Sequence, residues 1–237
     1  MVEIDIKELL ESGAHFGHSA AKWHPKMARN IHSKRGDTHI INLERTVEAF
    51  EEALPALTEI AASGKPILFV GTKKQLSEVV KNAAESVEQP YVIDRWVGGT
   101  LTNSGTIAKQ IQKLTELEKR MESGELARKY NKLEVQRFQE EIDLLNARYG
   151  GIKKLAGKPG AVVILSANDD ANAVREAKIL GVPIFAIVDS NVDPTGIKYA
   201  IPGNDDALMA LEVYTKYFTE AIKEGLKKKG EKNEKKA

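Results

Sequence analysis

No cysteine occurs anywhere in the 237 residues. Disulfides, thiolate metal centres and thiol nucleophiles are excluded together, and a reducing compartment is the expectation. Long apolar runs are missing as well. No segment approaches the roughly 20 residues that a helix needs to cross a bilayer. The acidic opening, Met1-Val2-Glu3-Ile4-Asp5, does not read as a signal peptide. An intracellular, soluble chain with no membrane partner is therefore expected. Net charge is nearly absent, at +1, but its distribution is uneven. Residues 12–36 contain no Asp or Glu, yet hold Lys22, Lys26, Arg29, Lys34 and Arg35. Residues 44–59 reverse the sign, with Glu44, Glu48, Glu51, Glu52 and Glu59 against Arg45 alone. Residues 223–236 carry seven lysines and three glutamates, and a disordered basic tail is expected over 227–237.

A chain of this length can form one large domain, or a domain with an insertion, around an ample core. The run Pro66-Ile67-Leu68-Phe69-Val70-Gly71 is continuously apolar and bounded by helix breakers, as in a strand buried on both faces. Residues 161–165 and 183–188 repeat the pattern, and 91–93 and 199–201 read as shorter strands. Helical periodicity is expected over 43–62, 74–87, 171–180 and 205–224, with a short helix at 4–11 and a small hairpin around Arg35-Gly36-Asp37. Strands alternating with helices predict a parallel α/β sheet covered on both faces, with ligands at the carboxyl ends of the strands. The stretch between the two halves has a different texture. Ile107, Ile111, Leu114, Leu117 and Met121, then Val135, Phe138, Ile142, Leu145 and Tyr149, recur at spacings of three and four. Two such stripes predict an antiparallel helical hairpin with a coiled-coil-like seam, projecting because both outer faces are densely charged. Ordinary amphipathic helices packed on the core are the alternative. The expected division is 1–103 and 150–226 for the two parts of the core, 104–149 for the hairpin and 227–237 for the tail.

Enzymatic chemistry finds little support. Gly71-Thr72-Lys73-Lys74 follows a strand but lacks the first glycine and spacing of a phosphate loop, and Gly98, Gly99 and Gly105 lack the dinucleotide-binding spacing. Ser166, His15 and Asp169 make a triad only on paper. A nucleotide- or small-molecule-dependent enzyme on the same fold is the runner-up. Binding surfaces are better represented. Lys22, Trp23, His24, Lys26 and Arg29 mix cations with rings that can stack on bases or sugars. Thr72, Lys73, Lys74 and Gln75 stand at a strand end and a helix start, where an anion or solvent would be at home. Arg95-Trp96-Val97-Gly98-Gly99-Thr100-Leu101-Thr102-Asn103 places a guanidinium, an indole, adjacent glycines and hydrogen-bonding side chains together, without a nucleophile or base. These features point to RNA, with Lys22, Trp23, His24, Lys26, Arg29, Lys73, Lys74, Arg95, Trp96, Thr102 and Asn103 as candidate contacts. A buried, structural Trp96 is the competing reading. All five histidines precede residue 40, and Asp189, Asp205 and Asp206 fall where strands end or a helix opens. His18 with Asp189, Asp205 and Asp206 could hold a divalent ion, zinc or magnesium; helix capping and core packing explain the same residues without one.

The 95–103 stretch closely resembles a signature of the bacterial-type second protein of the small ribosomal subunit. The likeness continues through Gly13-Ala14-His15-Phe16-Gly17-His18, Trp23-His24-Pro25-Lys26-Met27, His39-Ile40-Ile41-Asn42-Leu43, residues 67–75 and Ile201-Pro202-Gly203-Asn204-Asp205-Asp206. Residues 34–37 and 166–172 depart from the family's usual pattern. The resemblance implies a Rossmann/flavodoxin-like core with an inserted antiparallel coiled-coil hairpin. It further implies a cytoplasmic, non-enzymatic constituent of the ribosome on the solvent side between head and body. Its implied partners are small-subunit ribosomal RNA and neighbouring ribosomal proteins, including the large, mRNA-binding first protein, whose docking it would support. Neither a required cofactor nor a homo-oligomer is implied.

Overall fold

The computed structural model describes residues 2–155 and 157–234. The chain opens with α1 (Ile6–Glu11), β1 (Phe16–Ser19), a 3-10 helix (Pro25–Asn30), β2 (Ile31–Arg35) and β3 (Thr38–Ile41). It continues through α2 (Leu43–Ala62), β4 (Ile67–Val70), α3 (Ser77–Glu85), β5 (Tyr91–Val92), α4 (Ser104–Glu122), α5 (Glu125–Lys129) and α6 (Lys132–Tyr149). After a single 3-10 turn come β6 (Ala161–Ile164), α7 (Ala171–Ile179), β7 (Ile184–Val188), β8 (Tyr199–Pro202) and α8 (Leu208–Glu234).

Two sheets result. The small one is antiparallel, in the order β1-β3-β2, and the large one is ordered β5-β4-β6-β7-β8 with every pairing parallel. Alternation along each strand sends neighbouring side chains to opposite faces. Ile67, Phe69, Val163 and Phe185 enter one core with Phe50 and Leu57 of α2, Val80 of α3, and Tyr214 and Phe218 of α8. Leu68, Val70, Val162 and Ile184 enter the other with Ala173 and Ala177 of α7 and Ile107 and Leu114 of α4. Both faces are therefore dry, and this is why the strands read as unbroken apolar runs. Counting only the parallel strands in chain order, the sheet runs 2-1-3-4-5, compatible with a Rossmann-like, doubly wound core. The order reverses between β4 and β6, where such sheets leave a crevice at the carboxyl ends.

Where a doubly wound fold needs one crossover helix, this chain places α4, α5 and α6. Leu114 and Leu117 of α4 share an apolar cluster with Ile142 and Leu145 of α6, and Lys113 pairs with Glu141 across the two helices. A reciprocal capping box starts α6: Asn131 accepts from the Glu134 N–H, and Glu134 accepts from the Asn131 N–H, both at 3.0 Å.

The structure departs from expectation in several places, among them α5 within the connection of the helical pair and an α8 that begins at Leu208 rather than residue 205. β1 lies in a stretch that reads as irregular, α3 begins at Ser77 rather than residue 74, and α8 runs on to Glu234 instead of ending near residue 224. The expected disordered tail is thus helical over 227–234, and residues 235–237 lie outside the described residues. Its Lys/Glu composition favours helix, and the Glu224–Lys228 pair at 2.8 Å has the i,i+4 spacing that supports one.

Candidate nucleic-acid interface

Parallel strands deliver their carboxyl ends to a single edge, and the polar residues that follow β4, β6, β7 and β8 meet there. Thr72, after β4, donates its N–H (3.3 Å) and hydroxyl (2.9 Å) to Asp170. Lys73 bonds Asp206 and lies 3.7 Å from Asp169. The anion site expected at residues 72–75 is consequently filled by the chain's own carboxylates, leaving Lys74 as its exposed, unpaired cation among the described residues. Ser166 is fully buried and its hydroxyl donates to Asp205 at 2.7 Å, with Asp169 at 3.2 Å. No histidine is bonded to that hydroxyl among the described residues, so the paper triad does not form. Burial pushes the Asp170 carboxyl up to about 6.

The basic N-terminal segment is stapled onto this edge. The His18 N–H donates to Asp189 (3.2 Å) and to the Ser190 hydroxyl (2.9 Å), the His24 N–H to the Ser190 carbonyl (2.8 Å), and the Asn204 N–H to the Ala14 carbonyl (3.0 Å). Gly17 permits this approach, because a Cβ there would stand 2.8 Å from the Ser190 hydroxyl and 3.1 Å from the His39 carbonyl. Lys22 and Arg29 are exposed, with no ion pair among the described residues, and Trp23 is 38 % exposed beside the His39 ring. The other two candidates are occupied. Lys26 binds Asp193 (2.9 Å) and the Thr195 hydroxyl (2.7 Å), and His24 Nδ1 accepts the Lys26 N–H that opens the 3-10 helix.

The 95–103 stretch divides into an inward and an outward half. Trp96 is not the exposed stacking face expected of it: it is 7 % exposed, and its indole N–H donates to Glu176 at 2.9 Å. Thr102 also turns its hydroxyl inward, to Glu176 at 3.1 Å. The same carboxylate takes the backbone N–H groups of Gly99, Leu101 and Thr102 at 2.8, 3.0 and 3.1 Å. Burial alone would raise the Glu176 pKa, but the Trp96, Gly99, Thr102 and Leu101 donors outweigh it and hold the group ionised below its ordinary value. Arg95 and Asn103 stay exposed at the two ends of the loop. Glu176 itself escapes a motif search. Its one signal is a carboxylate on the buried stripe of α7, beside Ala173 and Ala177.

His18, Asp189 and Asp205 do converge: their potential ligand atoms all lie within 4.8 Å of one another. His18 Nδ1 is 3.1 Å from Asp189, and Nε2 is 3.4 Å from Asp206. The hydrogen bond to Asp189 leads in raising the His18 pKa, and burial lifts Asp205 to about 6. One Asp205 oxygen is buried without a hydrogen-bond partner, an arrangement that suits a divalent cation. Capping does not account for the aspartates, since Asn204 takes the Asp206 and Ala207 N–H groups that lead into α8.

A parallel α/β core thus carries, at its strand ends, a cluster of carboxylates and a pinned basic segment on which Lys22 and Arg29 have no ion-pair partner among the described residues. A family model described as Ribosomal protein S2 matches residues 9–225, and the chain belongs to that family. It is 44 % identical over 225 residues to Small ribosomal subunit protein uS2 of Pasteurella multocida, covering 95 % of this chain and 93 % of that one. Proteins of the same name from Fusobacterium nucleatum (42 % identical, 95 % and 91 % covered) and Haemophilus ducreyi (43 %, 95 % and 94 %) are similarly close. The chain is a ribosomal protein and not an enzyme.

Proposed function

We propose that this protein is a structural constituent of the cytoplasmic small ribosomal subunit that grips ribosomal RNA through its basic N-terminal segment and the outward half of its 95–103 loop. The observation that carries this reading is the acid-free stretch of residues 12–36. Lys22, Arg29, Lys34 and Arg35 are exposed there with no carboxylate partner among the described residues, on a segment pinned to the sheet edge. Cations held in this way neutralise phosphates and release counterions. Lys74, Arg95 and Asn103 extend the surface, and Trp23 offers a partly open ring for a base or sugar. Lys26, His24, Lys73, Trp96 and Thr102 act in this account by holding the framework.

Three further assignments complete the proposal. The α4–α6 pair serves as an antiparallel coiled-coil hairpin reaching additional RNA or a neighbouring protein, a role supported by its apolar seam and charged outer faces. The large, mRNA-binding first protein docks on the core, where Leu10 (54 % exposed), Phe16, Leu208 and Met209 (63 %) leave apolar surface at α1, β1 and the start of α8. His18, Asp189, Asp205 and Asp206 hold a zinc or magnesium ion that ties β1 to the strand ends. Cosedimentation of the purified chain with small-subunit particles that lack it tests the main reading. Stoichiometric binding that weakens steeply with salt is expected, and a chain that stays in the supernatant at low salt defeats it.

A further inference from the structure

We infer that Glu176 is the positioning residue for RNA recognition by the 95–103 loop: it turns the loop's internal donors inward and thereby leaves Arg95 and Asn103 fixed on the outside. The inference rests on the proposal that this loop faces RNA. Its basis is a single buried carboxylate, 8 % exposed, that takes hydrogen bonds from four residues of one loop. Oε1 receives the Trp96 indole and Gly99 N–H groups, and Oε2 receives the Leu101 N–H together with the Thr102 N–H and hydroxyl. No cation pairs with Glu176 among the described residues, so these donors alone offset the desolvation of its charge. Gly99 stands at φ +88°, a conformation that aims its N–H at the carboxylate and that a side chain would resist. The Thr100 hydroxyl then closes on the Val97 carbonyl (2.6 Å) and the Asn103 N–H on the Gly99 carbonyl (2.8 Å), leading directly into α4.

The consequence for binding follows from which groups are left over. Arg95 makes no hydrogen bond or ion pair with another described residue, and a Cβ added at Gly98 would meet nothing within 4 Å. The outer rim is therefore open, and it is held by an anion that never touches the ligand. A loop already ordered in its bound shape avoids the entropy of being ordered on contact. Because α4 starts one residue after Asn103, the same carboxylate also sets the root from which the helical pair departs.

Glu176→Gln in the full chain tests this. The amide keeps the size and one acceptor, but points N–H groups at donors that need an acceptor. Three readouts are compared with the parent: hydrogen exchange at the Gly99, Leu101 and Thr102 amides and the Trp96 indole, the melt of the free protein, and affinity for small-subunit particles lacking it. Exchange at those four sites should accelerate and affinity should fall roughly tenfold, with the salt slope unchanged because no phosphate contact is lost. Arg95→Ala should do the reverse, keeping the four sites protected while lowering both affinity and salt slope. Loop release with undiminished affinity overturns the inference, as does a loop that stays protected. Wild-type binding by Arg95→Ala instead defeats the reading of the loop as an RNA surface. If Glu176→Gln does not fold, Trp96→Phe removes a single donor and supports the same comparison. Its expected loss is roughly threefold, and unchanged affinity with accelerated exchange overturns the inference.

Discussion

Trp96→Ala separates the inward half of the 95–103 stretch from the outward half. The indole belongs to the buried apolar cluster that also holds Val92, Leu101 and Ile107, and its N–H is one of the donors to Glu176. Truncating a buried tryptophan costs about 3–5 kcal/mol. For a chain of this size each kcal/mol lowers the melting temperature by about 2–4 °C, so a fall of roughly 6–20 °C is expected. Arg95→Lys is the control. Arg95 is exposed and makes no hydrogen bond or ion pair with another described residue, which puts its effect on stability within about 0.5 kcal/mol. The substitution nevertheless removes the bidentate fork that grips a phosphate. Thermal melts of the free proteins, paired with incorporation into small-subunit particles, give the two readouts. The expected pattern is a destabilised Trp96→Ala beside an Arg95→Lys that melts normally and incorporates poorly. A Trp96→Ala protein that melts like its parent would refute the packing argument, and an Arg95→Lys protein that incorporates normally would remove Arg95 from recognition.

Replacing Lys22 and Arg29 by alanine should flatten the salt dependence of subunit binding by close to one unit of slope per lost phosphate contact. Adding Lys26→Ala should change it less, since Lys26 is held by Asp193 and Thr195; an unchanged slope in the double variant takes this segment out of the interface. Purified protein should retain a stoichiometric divalent ion after dialysis, and Asp205→Asn should release it; metal analysis finding none in free and ribosome-bound protein alike returns these residues to packing. Asp170 makes stability pH-dependent in a defined direction. Its carboxyl lies near 6 when folded, against about 3.9 when unfolded, so its contribution is present below pH 4 and lost as pH rises to 6. Asp170→Asn should remove that slope and gain on the order of 2 kcal/mol relative to the parent at pH 7, and chemical denaturation across pH 4–7 with identical slopes for the two proteins counts against the assignment.

The strands of the large sheet were legible because burial on both faces leaves residues 67–70 and 184–188 with nothing but apolar side chains. The limits of α2 were legible because Val47, Phe50, Ala53, Leu54 and Leu57 keep a helical period that Ser63-Gly64 closes, and the structure adds Asn42 as the cap of its first turn. The meeting of Asp189 with Asp205 followed from topology, since β7 and β8 are parallel and end on a common edge; His18 reaches them from β1 of the other sheet. β1 was hidden for the opposite reason. Phe16-Gly17-His18-Ser19 has neither alternation nor β-branched residues, and it becomes a strand through pairing with β3 and docking on Asp189 and Ser190. The orientation of Trp96 was equally hidden, because its partner Glu176 lies 80 residues away and belongs to no motif. An Arg-Trp pair reads the same in sequence whether the ring faces solvent or a buried carboxylate.

A cryo-electron density map of the small ribosomal subunit containing this chain decides whether the 12–36 segment and Arg95 meet ribosomal RNA. Lys22, Arg29 and Arg95 should lie within hydrogen-bonding distance of ribosomal RNA phosphates, with Trp96 packed inward on Glu176. A chain seated with the 12–36 segment and Arg95 facing solvent, or bound through protein neighbours alone, would contradict the account.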